Sequence, residues 1–262
     1  MSEAVAALGD LHGGSTLSRM LVSVRTLGVA TRFLVARPRL WGWALAPLGI
    51  IVALALMAGL ASFAGIGPLL AWLTHFRGMW GKALVWVTAL LVGLAVTAIT
   101  AFVLYFLVNI IAVPFYDGLS ERVEHELTGK LQEPDWGTWL AALFWSAVHS
   151  ALTLALWACI LLFSFALQVV PGLGTVLGGV FGTVASAIFL ARETMDGPMS
   201  RRDMPYLSKY RMILRHKAVL GGWGLLLAML MWVPIVNVLM MPVAVVGGTI
   251  LFCAFEASDR RS

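Results

Sequence analysis

Four stretches of this chain, residues 40 to 74, 83 to 116, 136 to 191 and 218 to 255, contain no aspartate, glutamate, lysine or arginine. Nothing else in the sequence constrains its fold as strongly. A soluble domain carries about 25% charged and about 45–50% apolar residues. Here 12% of 262 residues are charged and 60% apolar. Apolar runs this long have lipid as their solvent, and a helix of about 20 residues crosses about 30 Å of hydrocarbon. The sequence therefore describes an all-α integral membrane protein forming a single membrane domain over residues 1–262, with no separate soluble domain.

Six apolar segments are legible, at roughly 40–63, 83–113, 141–169, 173–191, 218–233 and 238–256. The first two are long transmembrane helices. The last four form two hairpins, 141–191 and 218–256, whose tips QVVPGLGTVLGG and MWVPIVNVLMMP resemble each other as a weak internal repeat. Each tip has Val-Pro followed closely by Gly or Asn, residues suited to a tight turn between helices. The limbs of the second hairpin run only about 16 to 19 residues, the later one interrupted by Pro242. Two forms stay open, a full crossing and a hairpin that enters the membrane only partway, its exposed backbone groups covered by protein.

Charge gives the orientation. The side holding the N-terminus carries 16 of the 18 lysines and arginines, and the other side carries Arg77 and Lys82. By the positive-inside rule both termini are cytoplasmic. All 13 acidic residues fall on that same side. The formal charge of +5 thus reports topology and lipid contact, not nucleic-acid binding.

The first sixteen residues lack the basic-then-apolar order of a secretory signal and are expected to be a disordered lead. Residues 17–37 set Arg19, Arg25 and Arg32 among apolar residues, as in a helix lying on anionic lipid. At 115–130, Phe115, Leu119, Val123 and Leu127 recur every four residues, with Asp117, Glu121, Glu124 and Glu126 on the remaining, wet surface. The apolar span is expected to break at Pro114 and this amphipathic helix to begin there. A basic cytoplasmic helix is expected at 201–217, as a solvated, lipid-facing connector or as a site for an anion or partner.

What is missing narrows the function. Pumps and coupled transporters usually mark their pathways with intramembrane charge, and the apolar stretches have none. The chain holds no phosphate-binding lysine loop, no His-Glu-x-x-His pair and no nucleophile elbow. Neither an enzyme nor a cofactor or metal site is expected. Cys159 and Cys253 lie in apolar stretches and read as packing residues. Gly174, Gly178, Gly182 and Ser186, spaced by four, make a smooth face for close helix approach. Asn109 and Asn237 are polar groups at depth that need hydrogen-bond partners, Asn237 as a helix cap, and His149 reads as an interface residue. An anion can still bind where a helix N-terminus and arginine coincide. ARPRLWG at 36–42 offers this, with Pro38 opening the first span between Arg37 and Arg39, two candidate substrate-binding residues or headgroup anchors.

Two motifs carry a family resemblance. VPFYDGLSERVE at 113–124 resembles the Ala-Pro-Phe-x-x-x-Leu-x-x-x-Val/Leu-Glu signature of the CysZ sulfate permeases and the etoposide-induced membrane proteins. VPIVNVLMMPVAVVGGTILF at 233–252 resembles that family's Ile-Pro-x-x-Asn-x-x-x-x-Pro-x-Ala-Val-x-Gly-Ala-Thr pattern. The positions that match include Pro114, Phe115, Pro234, Asn237 and Pro242. RPRLWGWALAPL at 37–48 and DGPMSRRDMPYLSKYRMILRHK at 196–217 occupy equivalent places, so the likeness covers roughly residues 20 to 256. It implies an N-terminal amphipathic helix, two long transmembrane helices and two hairpins that penetrate partway. It also implies a homo-oligomer in the bacterial inner membrane and sulfate uptake for cysteine synthesis. Where the family has Pro-Gly-Leu-Arg-Arg, an anion-binding segment, this chain has Pro38-Arg39-Leu40-Trp41-Gly42. The expectation is a permease or channel-like protein for sulfate or a similar oxyanion. The alternative is a membrane scaffold binding lipid or a partner through 115–127 and 201–217.

Overall fold

A computed structural model describes residues 3–8, 15–73, 79–129, 139–169 and 172–259. Within them the elements are α1 (Glu3–Ala6), α2 (Thr16–Val35), α3 (Pro38–Leu73), α4 (Met79–Thr128), α5 (Trp139–Leu167), α6 (Leu173–Ser200), α7 (Tyr206–Arg215), α8 (Lys217–Leu230) and α9 (Pro234–Asp259), with no strand among them. Pro38–Ala61, Leu173–Ser200 and Leu239–Asp259 are long and apolar enough to cross a membrane. The protein is an all-α integral membrane protein. Many of its large apolar side chains, among them Leu60, Trp86 and Leu90, are exposed on the protein surface, as a lipid solvent permits.

The chain divides into two compact units, residues 41–116 and residues 1–40 with 117–262. In the first unit the ring of Trp43 at the start of α3 meets that of Phe115 in α4, with centroids 5.9 Å apart. The expected break at Pro114 is absent, because α4 runs through it to Thr128. A proline removes one backbone donor, and a membrane helix tolerates this where its surroundings re-satisfy the freed groups. Pro242 is likewise buried inside a continuous α9.

In the second unit α6 packs most extensively on α8, while α2 lies against α8 and α9. The inner face of α2 is therefore structural: Val22, Ala30 and Phe33 are buried, and the Ser23 hydroxyl donates to the Val219 carbonyl at 2.9 Å. Its outer face exposes Leu21, Val24, Arg25 and Arg32. The lead is not wholly without structure, since α1 packs on α9 and Leu8 is fully buried. The 201–217 stretch is not one helix. A turn at 201–205 precedes α7, Pro205 holds an extended ψ of 147° at its N-cap, and α7 meets α8 at 100°. Asp203 occupies the left-handed region at φ 50° within that turn.

α5 and α6 pair closely as a hairpin. A Cβ on Gly178 would sit 2.9 Å from the Ser164 carbonyl, so the small-residue face serves packing between these two helices. The tightest approach joins α6 to α8, where a Cβ on Gly224 would lie 1.8 Å from the Ala187 carbonyl oxygen. Next to it the buried Trp223 indole donates to Thr194 at 3.1 Å. Because the obstructing atom is backbone, Gly224→Ala must push the helices apart. Overpacking of this kind costs about 1–3 kcal/mol, so the unfolding midpoint in detergent should fall clearly. Gly221→Ala, which meets open space, should leave the midpoint unchanged or raise it, since Ala is the better helix former by about 1 kcal/mol.

Candidate functional site

Sequence reading singles out the α2–α3 junction. α2 ends at Val35, and its cap residue Ala36 donates its N–H to Arg32 at 2.9 Å. Pro38, which lacks an N–H, opens α3, the position where a missing donor costs least. Arg37 folds back onto α2. Its guanidinium lies 3.5 Å from the centre of the Phe33 ring and donates to the Phe33 carbonyl at 3.2 Å, while its Nε pairs with Glu126. Arg39 is exposed, and among the described residues it meets no acidic side chain. The two arginines are thus unlike: one shares its charge with a carboxylate, and the other faces solvent.

A larger charged constellation lies where α4 ends and the 201–205 turn begins. Asp117, Ser120 and Glu124 recur at i, i+3 and i+7, which puts them on one face of α4. Arg201 reaches all three, donating to Asp117 Oδ1 at 2.9 Å, Ser120 Oγ at 2.8 Å and Glu124 Oε2 at 2.8 Å. Arg202 takes the other Glu124 oxygen at 2.6 Å and Glu256 of α9 at 2.6 Å, and its guanidinium lies 4.6 Å from the centre of the Phe252 ring. Ser120 and Thr249 Oγ1 are 2.9 Å apart. Glu124 is only 7% exposed. Its expected place on the wet surface is corrected: it is the buried acceptor for two arginines. The 201–202 pair is accordingly neither a solvated connector nor a vacant anion site.

Loss of water around these groups acts first, though only in part at Asp117, whose side chain is still 58% exposed. It pushes the Asp117 carboxyl above its ordinary value, Arg201 pulls it back, and Asp196 and Glu124 push it up again. Burial would lower Arg202, but its bonds to Glu256 and Glu124 more than offset that and leave it raised. A second cluster surrounds Asp196, which accepts from Arg192 at 3.0 Å and from Lys209 at 2.8 Å, with Lys209 also on Ser200 at 2.8 Å. Lys209 is 2% exposed, far from the solvated lysine that its charge suggests.

The remaining sequence candidates scatter. Phe115 is half-buried against Trp43. Asn237 lies within the first turn of α9, exposed, with its own N–H donating to Val233 at 2.8 Å, so it is not the capping residue. The side chains of Asn109, His149 and Pro234 lie outside the described residues. Arg201, Arg202 and Glu256 were missed as chemistry. The available signal was the polar stripe 117, 120, 124 running beside the apolar stripe 119, 123, 127. Among the described residues no His, Cys, Asp and Glu group could hold a metal ion.

Similarity to known proteins bears on this geometry. The family described as Sulfate transporter CysZ/Etoposide-induced protein 2.4 matches residues 27–242. A sulfate transporter CysZ of Vibrio parahaemolyticus is 29% identical over 209 residues, 76% of this chain and 82% of that one. One from Salmonella typhimurium is 27% identical over 230 residues, 80% of this chain and 88% of its own length. One from Pectobacterium atrosepticum is 28% identical over 175 residues, 66% of this chain and 62% of that protein.

Two measurements check the charged constellation. Removing one partner of a buried pair costs roughly 3–5 kcal/mol, so Glu124→Gln should lower the unfolding midpoint steeply, whereas Glu121→Gln, at a half-buried carboxylate that meets no cation among the described residues, should change it little. The pH dependence of Asp117 has a definite sign. A carboxyl raised in the folded state binds its proton more tightly there than when unfolded, so its contribution is present at low pH and is lost as pH rises through the folded value. In the window just above the ordinary carboxylate range, wild type should therefore lose stability relative to Asp117→Asn as pH rises. An opposite slope in the difference would contradict that environment.

Proposed function

The chain belongs to the sulfate transporter CysZ/etoposide-induced protein 2.4 family, and on that premise we propose that it is a permease or channel-like transporter for sulfate or a similar small oxyanion, serving sulfur assimilation. The observation carrying this reading is the extent of the likeness. Family similarity runs from residue 27 to residue 242, and the relatives named as sulfate transporters align with most of the chain. The protein is no enzyme in this reading. It sits in the inner membrane as a homo-oligomer with both termini cytoplasmic, in keeping with 16 of 18 cationic residues on that side.

Arg39 is the residue that meets the anion. It stands next to the leucine of the family's Pro-Gly-Leu-Arg-Arg segment, in the glycine's place, while Trp41 and Gly42 occupy the places of the paired arginines. An exposed guanidinium offers an oxyanion a planar, bidentate set of donors. Arg37 supports it at reduced strength because Glu126 holds its Nε.

Uptake of radiolabelled sulfate into proteoliposomes tests this. A hydrogen bond to a charged group contributes about 1.5–3 kcal/mol, and 1.4 kcal/mol is tenfold in affinity. Arg39→Ala should raise the half-saturating sulfate concentration at least about tenfold. Glu126→Gln, which releases Arg37, should lower it. Uptake no greater than in empty vesicles would overturn the permease reading, whereas uptake indifferent to Arg39 would remove that residue from the site.

A further inference from the structure

Away from the charged constellation, α5, α6 and α7 enclose a cavity of about 280 Å³. Leu156, Trp157, Val184, Ile188, Tyr210 and Leu214 form much of its wall, and its few polar groups include Thr153 and Tyr210. Thr153 Oγ1 lies 3.5 Å from the Tyr206 hydroxyl, itself 3.3 Å from that of Tyr210, so polar groups gather where α7 meets the cavity. The surrounding lipid is as apolar as this wall, so an acyl chain gains packing contacts there and no hydrophobic transfer from water, and selectivity has to come from the polar end.

α7 supplies the second half of the argument. Leu207, Tyr210, Arg211 and Leu214 are spaced i, i+3, i+4 and i+7, which puts them on one helix face. Leu207 and Leu214 are large apolar residues left 66% and 56% exposed. Arg211 is exposed among them, and α7 contains basic residues but no acidic one. An apolar slot opening beside an exposed leucine pair and a cation matches one kind of molecule in its surroundings: a lipid with an anionic headgroup. We propose that this cavity is a specific anionic-phospholipid site, holding one acyl chain between α5 and α6 with the net negative headgroup at Arg211. The site stands on the membrane location of the protein alone and does not depend on sulfate transport.

Native mass spectrometry of the full-length protein in detergent, with phosphatidylglycerol or phosphatidylcholine of the same chains added, reads the site directly. One phosphatidylglycerol should stay bound. Phosphatidylcholine should bind about fivefold more weakly, the effect of one cation near an anionic surface. Ala185→Trp, which fills the slot from α6, should abolish retention, and Ile188→Trp provides a second filler should the first fail to purify as a folded species. Arg211→Gln should erase the preference between the two lipids while leaving chain binding in place. Unaltered phosphatidylglycerol binding in a folded filled-slot variant would overturn the proposal, as would equal binding of both lipids to wild type. Failure of either lipid to bind, with a filled-slot variant instead changing the oligomer mass, would overturn it in favour of a contact between copies of the chain.

Discussion

A single buried carboxylate organises the charged end of the larger unit. Glu124 accepts from Arg201 on one oxygen and from Arg202 on the other, and each arginine then carries the connection onward, to Asp117 and Ser120 of α4 or to Glu256 of α9. Three chain segments far apart in sequence meet at that group. The turn at 201–205 has little else to define it: a left-handed Asp203, a proline, and a few short backbone bonds. Two adjacent arginines brought to a mostly buried place need an anion there, since an unpaired buried charge is far more costly than a paired one. Glu124 meets that need, and Asp117 and Glu256 supply a second acceptor to each arginine.

The arrangement has a consequence for anion handling. Much of the chain's positive charge on this side is already answered internally: Arg201, Arg202 and Lys209 by carboxylates of the same unit, Arg37 by Glu126. Among the described residues the exposed cations include Arg25 and Arg32 of α2, Arg39 at the start of α3, Arg211 of α7 and Lys217 at the start of α8. Attraction for an oxyanion or an anionic headgroup falls to exposed cations such as these. This is why Arg39 and Arg211 carry the functional proposals and the internally paired cations do not.

The membrane character and the helices were legible because both follow from one-dimensional patterns: charge-free runs, and the four-residue recurrence of Leu119, Val123 and Leu127, all buried as expected. The small-residue face of α6 was legible for the same reason. Pro114 and Pro242 misled because a proline's cost is local, while a helix is also held by its neighbours. Glu124 misled more deeply. A carboxylate beside an apolar stripe reads as solvent-facing unless its partner is known, and that partner lies 77 residues away. No spacing rule reports a contact of that separation. Gly224 against Ala187 is a case of the same kind: glycine signals close approach, but the sequence does not name the backbone it approaches.

The coupling between Glu124 and the arginine turn is open to one decisive measurement: a double-mutant cycle on unfolding free energy in a single detergent, comparing wild type, Glu124→Gln, Arg202→Gln and the double variant. Groups sharing one ion-pair network couple by about 0.5–3 kcal/mol, and independent sites add within about 0.3–0.5 kcal/mol. A buried carboxylate bridging two arginines requires a coupling near the upper end of that range, with the double variant losing much less than the sum of the single losses. Additive losses would mean that Glu124 and the turn are energetically independent, contradicting the account.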